Sequence, residues 1–401
     1  MSVVTVPTIV LKKRKALPFF SHHPWLFAGA IERIDGEPQP GDEVIVRSDK
    51  GEFIGRGLYN PASQIRVRLY GWDEQRPLDD SFWIERIDQA LALRQQLFGE
   101  TDASRACRLI FSEGDHLSGL TVDRYGDWLL VQWTSKALAA RQKVILDYLQ
   151  SRLQPKGIWL RTEKGIGEAE ELAVADGLIR GVAPERPLFI VENGLRFGVD
   201  VVEGHKTGFY FDQRDNRAAV AKYVDGRTVL DAFCYSGGFG LAAAKIGNAA
   251  RVTCVDSSAT AIETARANAE LNELATKMEF ARSDVAPYLE QAAANGQRFD
   301  AVILDPPKMA RTRGGFDRAV KGYLRLNRLA LEVLEPGGIL ATCSCSGLVD
   351  RESFLDIVAR AALEAGRSLQ LLEVRGQAND HPVSAHCRES SYLKCAITRA
   401  V

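Results

Sequence analysis

The sequence lacks a surplus of charge of either sign and has no long apolar run. Its 401 residues include 51 Lys and Arg against 52 Asp and Glu, a formal net charge of -1. The balance does not indicate a globally basic nucleic-acid-binding protein, so any basic surface has to be local. No apolar run approaches the roughly 20 residues of a membrane-spanning helix. The apolar residues 3–11 precede the basic residues 12–15, whereas the charges of a secretory signal come first. We therefore expect a cytoplasmic protein with no membrane partner.

The sequence also lacks the paired cysteines of a disulfide framework. It has seven cysteines, an odd number, and their spacing is irregular. Cys343 and Cys345 are too close together for an easy bridge, and no second pair completes a zinc site. We expect reduced thiols, as in cytosolic proteins, and no bound metal.

What the sequence does have is the length and composition for several folded domains. A chain of 401 residues is long enough for two or three of them. A hydrophobic content of 46% and a charged content of 26% are typical of soluble proteins with proper cores. We predict three domains, at residues 1–74, 75–190 and 191–401.

The first domain is predicted to be a small β-barrel with a local basic surface. Short apolar or alternating segments at 8–11, 42–47, 53–59 and 64–70 are separated by Gly and Pro turns. Residues 1–72 hold ten basic and seven acidic residues, so their net charge is +3. Charge alone favours an ordinary solvated face, and the alternative is a patch for RNA phosphates and bases. The candidate RNA contacts are Lys12, Arg14, Arg56, Arg66 and Arg68.

The second domain is predicted to be a small α+β scaffold without an evident chemical site. An amphipathic helix over about 81–98 leads into it as a linker. A β-hairpin forms around Asn193-Gly194 beyond its end. The segments between are predicted to be strands at 108–111, 119–123, 128–133 and 157–161, a helix over 138–152 and an acidic loop at 163–177.

From about residue 200 the chain alternates regularly between strands and helices. Helices are predicted over 258–272, 317–334 and 351–365, with strands between them. Four successive strands end in polar residues of functional type, at Asp231, Asp256, Asp284 and Asp305. We predict an α/β fold class with a Rossmann-like sheet, and ligands at the carboxyl ends of its strands.

The stretch 229–240 reads as the strand, glycine turn and helix that open a nucleotide-binding unit. Glycines let the backbone approach a ligand, and the helix N-terminus presents unpaired N–H groups. Asp256 follows about 20 residues after the glycine turn, the sequence spacing at which an acid binds the two hydroxyls of a ribose. Asp284 could contact an adenine amino group. The turn departs from the G-x-G-x-x-G pattern of dinucleotide sites, and a second mononucleotide half is lacking. S-adenosylmethionine (SAM) therefore fits better than NAD.

The predicted SAM site extends beyond the glycine turn. Residues 205–214 alternate aromatic and polar side chains that could close over the cofactor, with Lys206 near its carboxylate. The cofactor-binding residues that we assign are Lys206, Thr207, Gly208, Phe211, Asp231, Phe233, Ser236, Gly237, Asp256, Ser257, Asp284, Val285 and Asp305.

Cys345 is the candidate nucleophile. A thiolate is the best nucleophile available near neutral pH, and Cys345 lies just past the end of a predicted strand, between two serines. Carbon 5 of a pyrimidine accepts a methyl group only after a nucleophile has added to carbon 6. Cys343 is the less favoured alternative because it is predicted to lie within the strand, and Cys234 is expected to pack or to line the cofactor pocket.

The segment Asp305-Pro306-Pro307-Lys308 is the second element of the predicted chemistry. Pro306 and Pro307 restrict the backbone of the loop that follows the predicted strand, so the side chains of this loop are held in fixed positions. Methyltransferases that alkylate exocyclic amines end a related loop in an aromatic residue, whereas this chain has Lys308 there. We assign Cys345, Asp305 and Lys308 as catalytic, against the alternative of a loop without function. Asp380-His381-Pro382 is either a plain turn or a further contact to the base.

These motifs together resemble one known family. The motifs that carry the resemblance are His205-Lys206-Thr207-Gly208, Asp212-Gln213-Arg214, Tyr235-Ser236-Gly237-Gly238-Phe239, Asp305-Pro306-Pro307-Lys308 and Ser344-Cys345-Ser346-Gly347, with His23-Pro24-Trp25, residues 61–66 and Asp380-His381-Pro382 in support. Over essentially the whole chain the sequence resembles the bacterial ribosomal RNA large subunit methyltransferase I family. The resemblance implies a PUA RNA-binding domain, a central α+β domain and a SAM-dependent Rossmann domain.

The resemblance also implies a reaction. The expected substrate is 23S rRNA, and the expected product is 5-methylcytosine at the position known as 1962, through a covalent adduct of Cys345 at carbon 6. The family pattern retains the cysteine at 345 and can carry another residue at 343. Unlike a second group of RNA cytosine methyltransferases, this chain has no cysteine beside the Pro-Pro loop, so the base that assists product release is unassigned.

Two other functions stay open at this point. One is methylation of a guanine amino group in rRNA, with a structural role for Cys345. The other is a non-catalytic RNA-binding assembly factor that holds SAM as a structural ligand. The oligomeric state is open too, with a homodimer as one option.

Overall fold

In a computed structural model of the protein, the amino-terminal residues form a six-stranded mixed sheet in the order β2-β6-β5-β4-β1-β3. The structure describes residues 6–162, 165–172, 175–202, 208–310 and 313–401, except the side chains of residues 166 and 313. Strands β1 and β4 are parallel, and the other pairs are antiparallel. The elements are β1 (Thr8–Leu11), α1 (Leu17–Phe20), β2 (Trp25–Phe27), β3 (Ile31–Asp35), β4 (Glu43–Arg47), β5 (Phe53–Tyr59) and β6 (Ile65–Gly71).

The core of this sheet comes from the alternating faces of its strands. Burial in β4 alternates residue by residue, so Val44 and Val46 point inward with Ile9, Leu26 and Val67. Four of the six strands follow the predicted segments. The sequence prediction missed β2, which has three residues, and β3, in which charged residues interrupt the apolar ones.

A five-stranded sheet with flanking helices follows, in the order β11-β10-β9-β8-β7. Its longest helix is capped by Asp79, whose side chain accepts the Phe82 N–H at 2.9 Å, and it buries Trp83 and Ile87 against the sheet. The elements are α2 (Asp80–Phe98), α3 (Asp102–Arg105), β7 (Ala106–Phe111), β8 (Leu120–Tyr125), β9 (Trp128–Trp133), α4 (Lys136–Ala139), α5 (Gln142–Leu153), β10 (Gly157–Arg161), α6 (Ile166–Glu170) and β11 (Gly177–Gly181). The predicted helix over 138–152 is thus two helices, and β11 was not predicted.

The predicted hairpin around Asn193-Gly194 is present as β12 (Leu188–Glu192) and β13 (Leu195–Val199). Asn193 and Gly194 both have positive φ, 50° and 76°, as a tight two-residue turn requires.

The remaining strands form a seven-stranded sheet in the order β16-β15-β14-β17-β18-β20-β19. The first five are parallel, and β20 and β19 are antiparallel to their neighbours. The elements are α7 (Arg214–Ala221), β14 (Thr228–Ala232), α8 (Gly238–Lys245), β15 (Arg251–Asp256), α9 (Ala259–Leu271), β16 (Met278–Arg282), α10 (Val285–Ala294), β17 (Phe299–Leu304), α11 (Phe316–Glu332), β18 (Leu334–Ser344), α12 (Arg351–Glu364), β19 (Leu369–Arg375) and β20 (Lys394–Ala400). The α/β fold class and the Rossmann-like sheet are confirmed.

The described chain divides into two compact units. The first comprises Met1–Leu188, Val199–Phe209 and Asn379–Ser390, as far as these residues are described; the second comprises Phe189–Gly198, Tyr210–Ala378 and Ser391–Val401. The division into domains at 1–74, 75–190 and 191–401 stays a prediction. Among the described residues, no helix is both long and apolar enough to span a membrane.

Candidate active site

The glycine turn after β14 has an unusual backbone. Phe233, Tyr235 and Gly237 all have positive φ, at 65°, 48° and 79°. Such conformations are costly for residues other than glycine and cluster at functional sites. The turn is held by two backbone hydrogen bonds, from Cys234 N–H to the Val255 carbonyl (3.0 Å) and from Gly237 N–H to the Cys234 carbonyl (2.8 Å). The loop is therefore fixed in one shape where it leads into α8, whose first residues, Gly238 and Phe239, are buried.

Asp231 lies beneath this turn rather than on its surface. Its side chain is 1% exposed, and its Oδ2 accepts the Gly240 N–H at 2.7 Å. Burial raises the pKa of Asp231 to about 7, an effect that the Gly240 N–H opposes and the charges of Asp305 and Asp256 reinforce. A Cβ at Gly240 would lie 2.8 Å from the Cys254 Sγ and 3.0 Å from the Asp231 Oδ2, so only glycine fits there. Asp231 thus shapes the turn.

Asp256 and Asp284 offer the carboxylates predicted for the cofactor. The Asp256 Oδ2 accepts the Tyr235 N–H at 3.1 Å and its Oδ1 accepts the Ser258 N–H at 2.9 Å. Each oxygen keeps a second lone pair, and the residue is half-buried. Asp284, the residue before α10, is exposed. The Ser283 N–H donates to the Asp256 carbonyl at 3.0 Å, which joins the two strand exits.

A chain of amide side chains that the sequence analysis missed orients Asp305. The Nε2 of Gln213, which is 3% exposed, donates to the Asp305 Oδ1 at 2.9 Å. Asn216 donates to the Gln213 Oε1 at 2.6 Å, and Arg375 donates to Asn216 at 3.2 Å. Gln213 belongs to a motif noted in the sequence, but its partner is 92 residues away.

The Asp305 and Cys345 segments leave neighbouring parallel strands and are tied together by one hydroxyl. Strands β17 and β18 pair in parallel. Ser346 Oγ accepts the N–H groups of Met309 and Ala310, each at 3.2 Å. Tyr323 from α11 lies 2.9 Å from the same Oγ through its hydroxyl and accepts from Ser344 Oγ at 3.0 Å. The two predicted catalytic segments are therefore held by shared polar contacts.

Cys345 differs in exposure from the other cysteines. All seven lie among the described residues as free thiols; six are buried and Cys345 is half-buried. Cys343 is fully buried, and a hydrogen bond with Cys395 and burial raise the pKa of its thiol well above the ordinary value. Cys345 is thus the accessible thiol of this edge. Lys308 is exposed on the neighbouring loop.

Lys394 is a further residue that the sequence analysis did not single out. It begins β20, opposite Ser344, and is 4% exposed. Its Nζ donates to the Ser346 carbonyl at 2.7 Å and to the Tyr392 carbonyl at 2.9 Å. A lysine at the start of a strand whose next three residues are apolar was the signal that could have identified it.

The other predicted cofactor residues have varied surroundings. Lys206 and Thr207 lie outside the described residues, and Gly208 belongs to the first unit, with a φ of 96°. Within the second unit, Phe211, Ser236 and Val285 are buried, Phe233 is half-buried and Ser257 is exposed.

The predicted RNA contacts divide into exposed and buried groups. Lys12 and Arg14 are exposed, and Arg66 is half-buried. Arg56 and Arg68 are 9% and 7% exposed. Their guanidinium groups are bound inside the unit. Arg56 contacts the Glu43 carboxylate and the Glu74 carbonyl, and Arg68 contacts the carboxylates of Glu113 and Glu170 and the Ser118 hydroxyl. Their surroundings indicate a structural role.

Two histidines of the first unit are accounted for by hydrogen bonds. His381 is 3% exposed and bonds through Nδ1 to the Asp380 carboxylate at 2.8 Å. His23 lies near Cys387 and Glu389 in a group of metal-ligand type. Its Nδ1 accepts the Trp25 N–H at 3.3 Å, which places the proton of the neutral ring on Nε2, facing Glu389 at 3.4 Å. The ring and the Glu389 carboxylate therefore form a histidine–carboxylate pair.

The donor set at the strand exits fits SAM. The second lone pairs of the half-buried Asp256 carboxylate and the carboxylate of the exposed Asp284 suit hydroxyl and amino donors. Fold and site define a SAM-dependent methyltransferase. The family model described as S-adenosylmethionine-dependent methyltransferase matches residues 179–386, and a PUA-like domain model matches residues 9–72.

Comparison with known proteins narrows the class. The chain is 41% identical to ribosomal RNA large subunit methyltransferase I of Shewanella denitrificans over 393 residues, 98% of each chain. It is 40% identical to the protein of the same name from Aliivibrio fischeri, over 98% of this chain and 99% of that one. The chain belongs to the ribosomal RNA large subunit methyltransferase I family.

A solved structure agrees on the fold. A candidate methyltransferase complexed with SAH superimposes with a TM-score of 0.85 at 22% identity, covering 98% of this chain and all of the other. The predicted family and the predicted cofactor, SAM, are confirmed.

Proposed function

We propose that the protein methylates carbon 5 of a cytosine in large-subunit ribosomal RNA through a covalent adduct between Cys345 and carbon 6. The observation that carries the proposal is the position of Cys345. It is the half-buried thiol among seven, it follows β18, and its segment is joined to that of Asp305 by Ser346. The relatives are named for ribosomal RNA, and we extend that substrate to this chain. The expected target is the cytosine known as 1962.

SAM supplies an electrophilic methyl group when it is bound. The proposed contacts of this chain are Asp256 to the ribose hydroxyls, Asp284 to the adenine, and the turn around Gly237 to the rest of the cofactor. Lys206, Thr207, Gly208, Phe211, Phe233, Ser236, Ser257 and Val285 remain predicted contacts, while Asp231 holds the turn through Gly240.

The reaction proposed for Cys345 takes place at carbons 5 and 6 of the pyrimidine ring. The thiolate forms a bond to carbon 6, and the electron pair of the C5–C6 double bond becomes available at carbon 5. Carbon 5 accepts the methyl group. Loss of the carbon 5 proton then restores the double bond, and the C6–S bond breaks with its electrons returning to sulfur. Asp305, fixed by Gln213 at 2.9 Å, is proposed to hold the N3 and amino edge of the base. Lys308, exposed on the same loop, is proposed to meet the RNA.

A pair of cysteine variants tests this proposal. Cys345→Ala is expected to abolish transfer of labelled methyl groups to 23S rRNA that lacks its own modifications. SAM binding, measured by calorimetry, is expected to persist because Cys345 lies outside the proposed SAM contacts. Cys343→Ala, two residues away and buried, is the matched control and is expected to retain transfer.

The product and the adduct distinguish the alternatives. Digestion of the methylated RNA is expected to yield 5-methylcytidine at one site. RNA with 5-fluorocytidine at that site should form a denaturation-resistant complex with the wild-type protein, because carbon 5 then has no proton to lose. A methylated guanine without 5-methylcytidine would establish amino-group methylation instead. RNA binding without any methyl transfer would indicate an assembly factor.

A further inference from the structure

Lys394 carries a buried ammonium group. Its Nζ is bound to two backbone carbonyls, of Ser346 at 2.7 Å and Tyr392 at 2.9 Å. Among the described residues, no carboxylate oxygen lies within 4.0 Å of this nitrogen. An ammonium group has three donors, so one is left after these two bonds. A buried charge without a counter-ion is costly, so its retention calls for a partner.

The charges around Lys394 identify that partner. Burial lowers the pKa of Lys394 to about 8, and the negative charges of Cys345 and Asp350 act against burial while Lys308 adds to it. The group is therefore still mainly protonated at neutral pH. Asp350 is exposed at the N-cap of α12, where its carboxylate accepts the Ser353 N–H at 2.7 Å. Cys345 precedes Ser346, whose carbonyl Lys394 binds.

We propose that Lys394 is the positioning residue that acts as counter-ion to the Cys345 thiolate and fixes the backbone that carries it. This inference rests on the proposed role of Cys345 as the nucleophile. When the thiol proton leaves to solvent, thiolate and ammonium form a pair with no net charge. The pair then interacts in a medium of lower dielectric than water, where attraction between opposite charges is strongest.

Among the residues that the structure describes, the other titratable groups near Cys345 do not supply this charge. Tyr210 and Tyr323 both face it, and burial is the main cause that raises the pKa of each phenol, so both stay neutral. Lys308 is exposed, so solvent screens its charge. Within the described part of the chain, Lys394 is the buried cation of this group.

The rate of thiol alkylation tests the charge coupling directly. In the wild-type protein, the rate at which iodoacetamide modifies Cys345, read from its peptide by mass spectrometry, should reach half its plateau below about pH 8.5, the ordinary thiol value. Lys394→Met should move this midpoint up by about one pH unit or more and slow alkylation at pH 7 about tenfold. The rate at the alkaline plateau should change little, and Lys394→Arg should restore most of the effect.

Methyl transfer gives the second readout. In Lys394→Met, kcat at pH 7 should fall about tenfold with KM for RNA unchanged, and raising the pH should recover activity, because the thiolate then forms without its counter-ion. A purely structural role would lower kcat equally at every pH. Lys245→Met removes an exposed lysine at the far end of α8 and should change neither profile.

The outcomes separate this inference from the proposed function. An unchanged alkylation midpoint in Lys394→Met overturns the inference. If that variant does not fold, a wild-type midpoint at or above about 8.5 overturns it instead. Methyl transfer by Cys345→Ala would contradict the proposed function, while the alkylation profile would still decide whether Lys394 stabilises the thiolate.

Discussion

At the scale of single residues, Asp231 gives the second unit a stability that depends on pH. Its pKa is raised from 3.8 to about 7, chiefly by burial. The folded state therefore favours the neutral carboxyl group, so this contribution is fully present below about pH 4 and is lost as the pH rises through about 7. Three pKa units correspond to about 4 kcal/mol. The Asp231→Asn variant keeps an acceptor for the Gly240 N–H but cannot ionise.

We expect the stability of the wild type, relative to Asp231→Asn, to fall by up to about 4 kcal/mol between pH 4 and pH 8. The measurement is labelling of the buried Cys254 thiol in urea, because Cys254 belongs to the second unit and reports on its unfolding. Asp300→Asn is the control, because the pH dependence of stability that Asp300 contributes has the opposite sign. Hydrogen bonding to Thr228 lowers the pKa of Asp300, so its contribution is lost as the pH falls. Parallel curves for the wild type and Asp231→Asn would contradict the prediction.

At the scale of elements, helix α11 supports the exits of two strands through one hydroxyl group. Tyr323 is 1% exposed, and its hydroxyl lies 2.9 Å from Ser346 Oγ and 3.0 Å from Ser344 Oγ. Tyr323→Phe leaves these hydroxyls without that partner, which should cost about 1–2 kcal/mol. We expect methyl transfer to fall severalfold at unchanged SAM affinity, because the Cys345 segment loses its anchor.

Tyr223→Phe is the matched control for this prediction. Tyr223 donates to Glu373 Oε1 at 2.8 Å, at the edge strand β19, so the variant also loses one hydrogen bond. It should leave methyl transfer unchanged. Equal losses of activity in both variants would show that Tyr323 acts only through global stability.

The strands show which parts of the fold can be predicted from sequence patterns. The strands of the parallel sheet were predicted because buried parallel strands are continuous apolar runs followed by turn residues. The helix predicted over 317–334 ends earlier, at Glu332, and strand β18 already begins at Leu334. Strand β11 was missed because Gly177 and Gly181 bound it, and its pairing with β10 depends on tertiary contacts.

The site shows the same limit. Asp256, Asp305 and Cys345 were found because each follows a strand, and their order along one sheet edge follows from the topology. Gln213 and Lys394 were not assigned because their roles depend on partners 92 and 48 residues away. The burial of Arg56 and Arg68 could not be predicted either. Alternation along a strand does not show which face of the sheet is covered by other elements.

At the scale of the whole molecule, a net charge of -1 leaves RNA binding to local surfaces. The basic loop, residues 12–15, is exposed and leads to α1, where Leu17 and Phe20 are 75% and 45% exposed. Lys12 Nζ binds the Gly29 carbonyl at 3.1 Å, and Phe27 nearby in sequence is 46% exposed. Cations beside exposed aromatic rings suit phosphates and unpaired bases.

We expect the double variant Lys12→Ala/Arg14→Ala to bind a 23S rRNA fragment more weakly and with a smaller dependence on salt. Each lost phosphate contact lowers the slope of log K against log salt by about 0.7 to 0.9, so the slope should fall by about 1.4 to 1.8 if both residues contact phosphate. Filter binding over a range of salt concentrations measures it. Thermal unfolding should be unchanged, since both side chains are exposed.

The control is Lys143→Ala/Arg152→Ala on α5, where both side chains are more than half exposed and face Asp147 and Asp88. The same fall in slope for both double variants would refute a specific role for the basic loop and leave only the general effect of net charge.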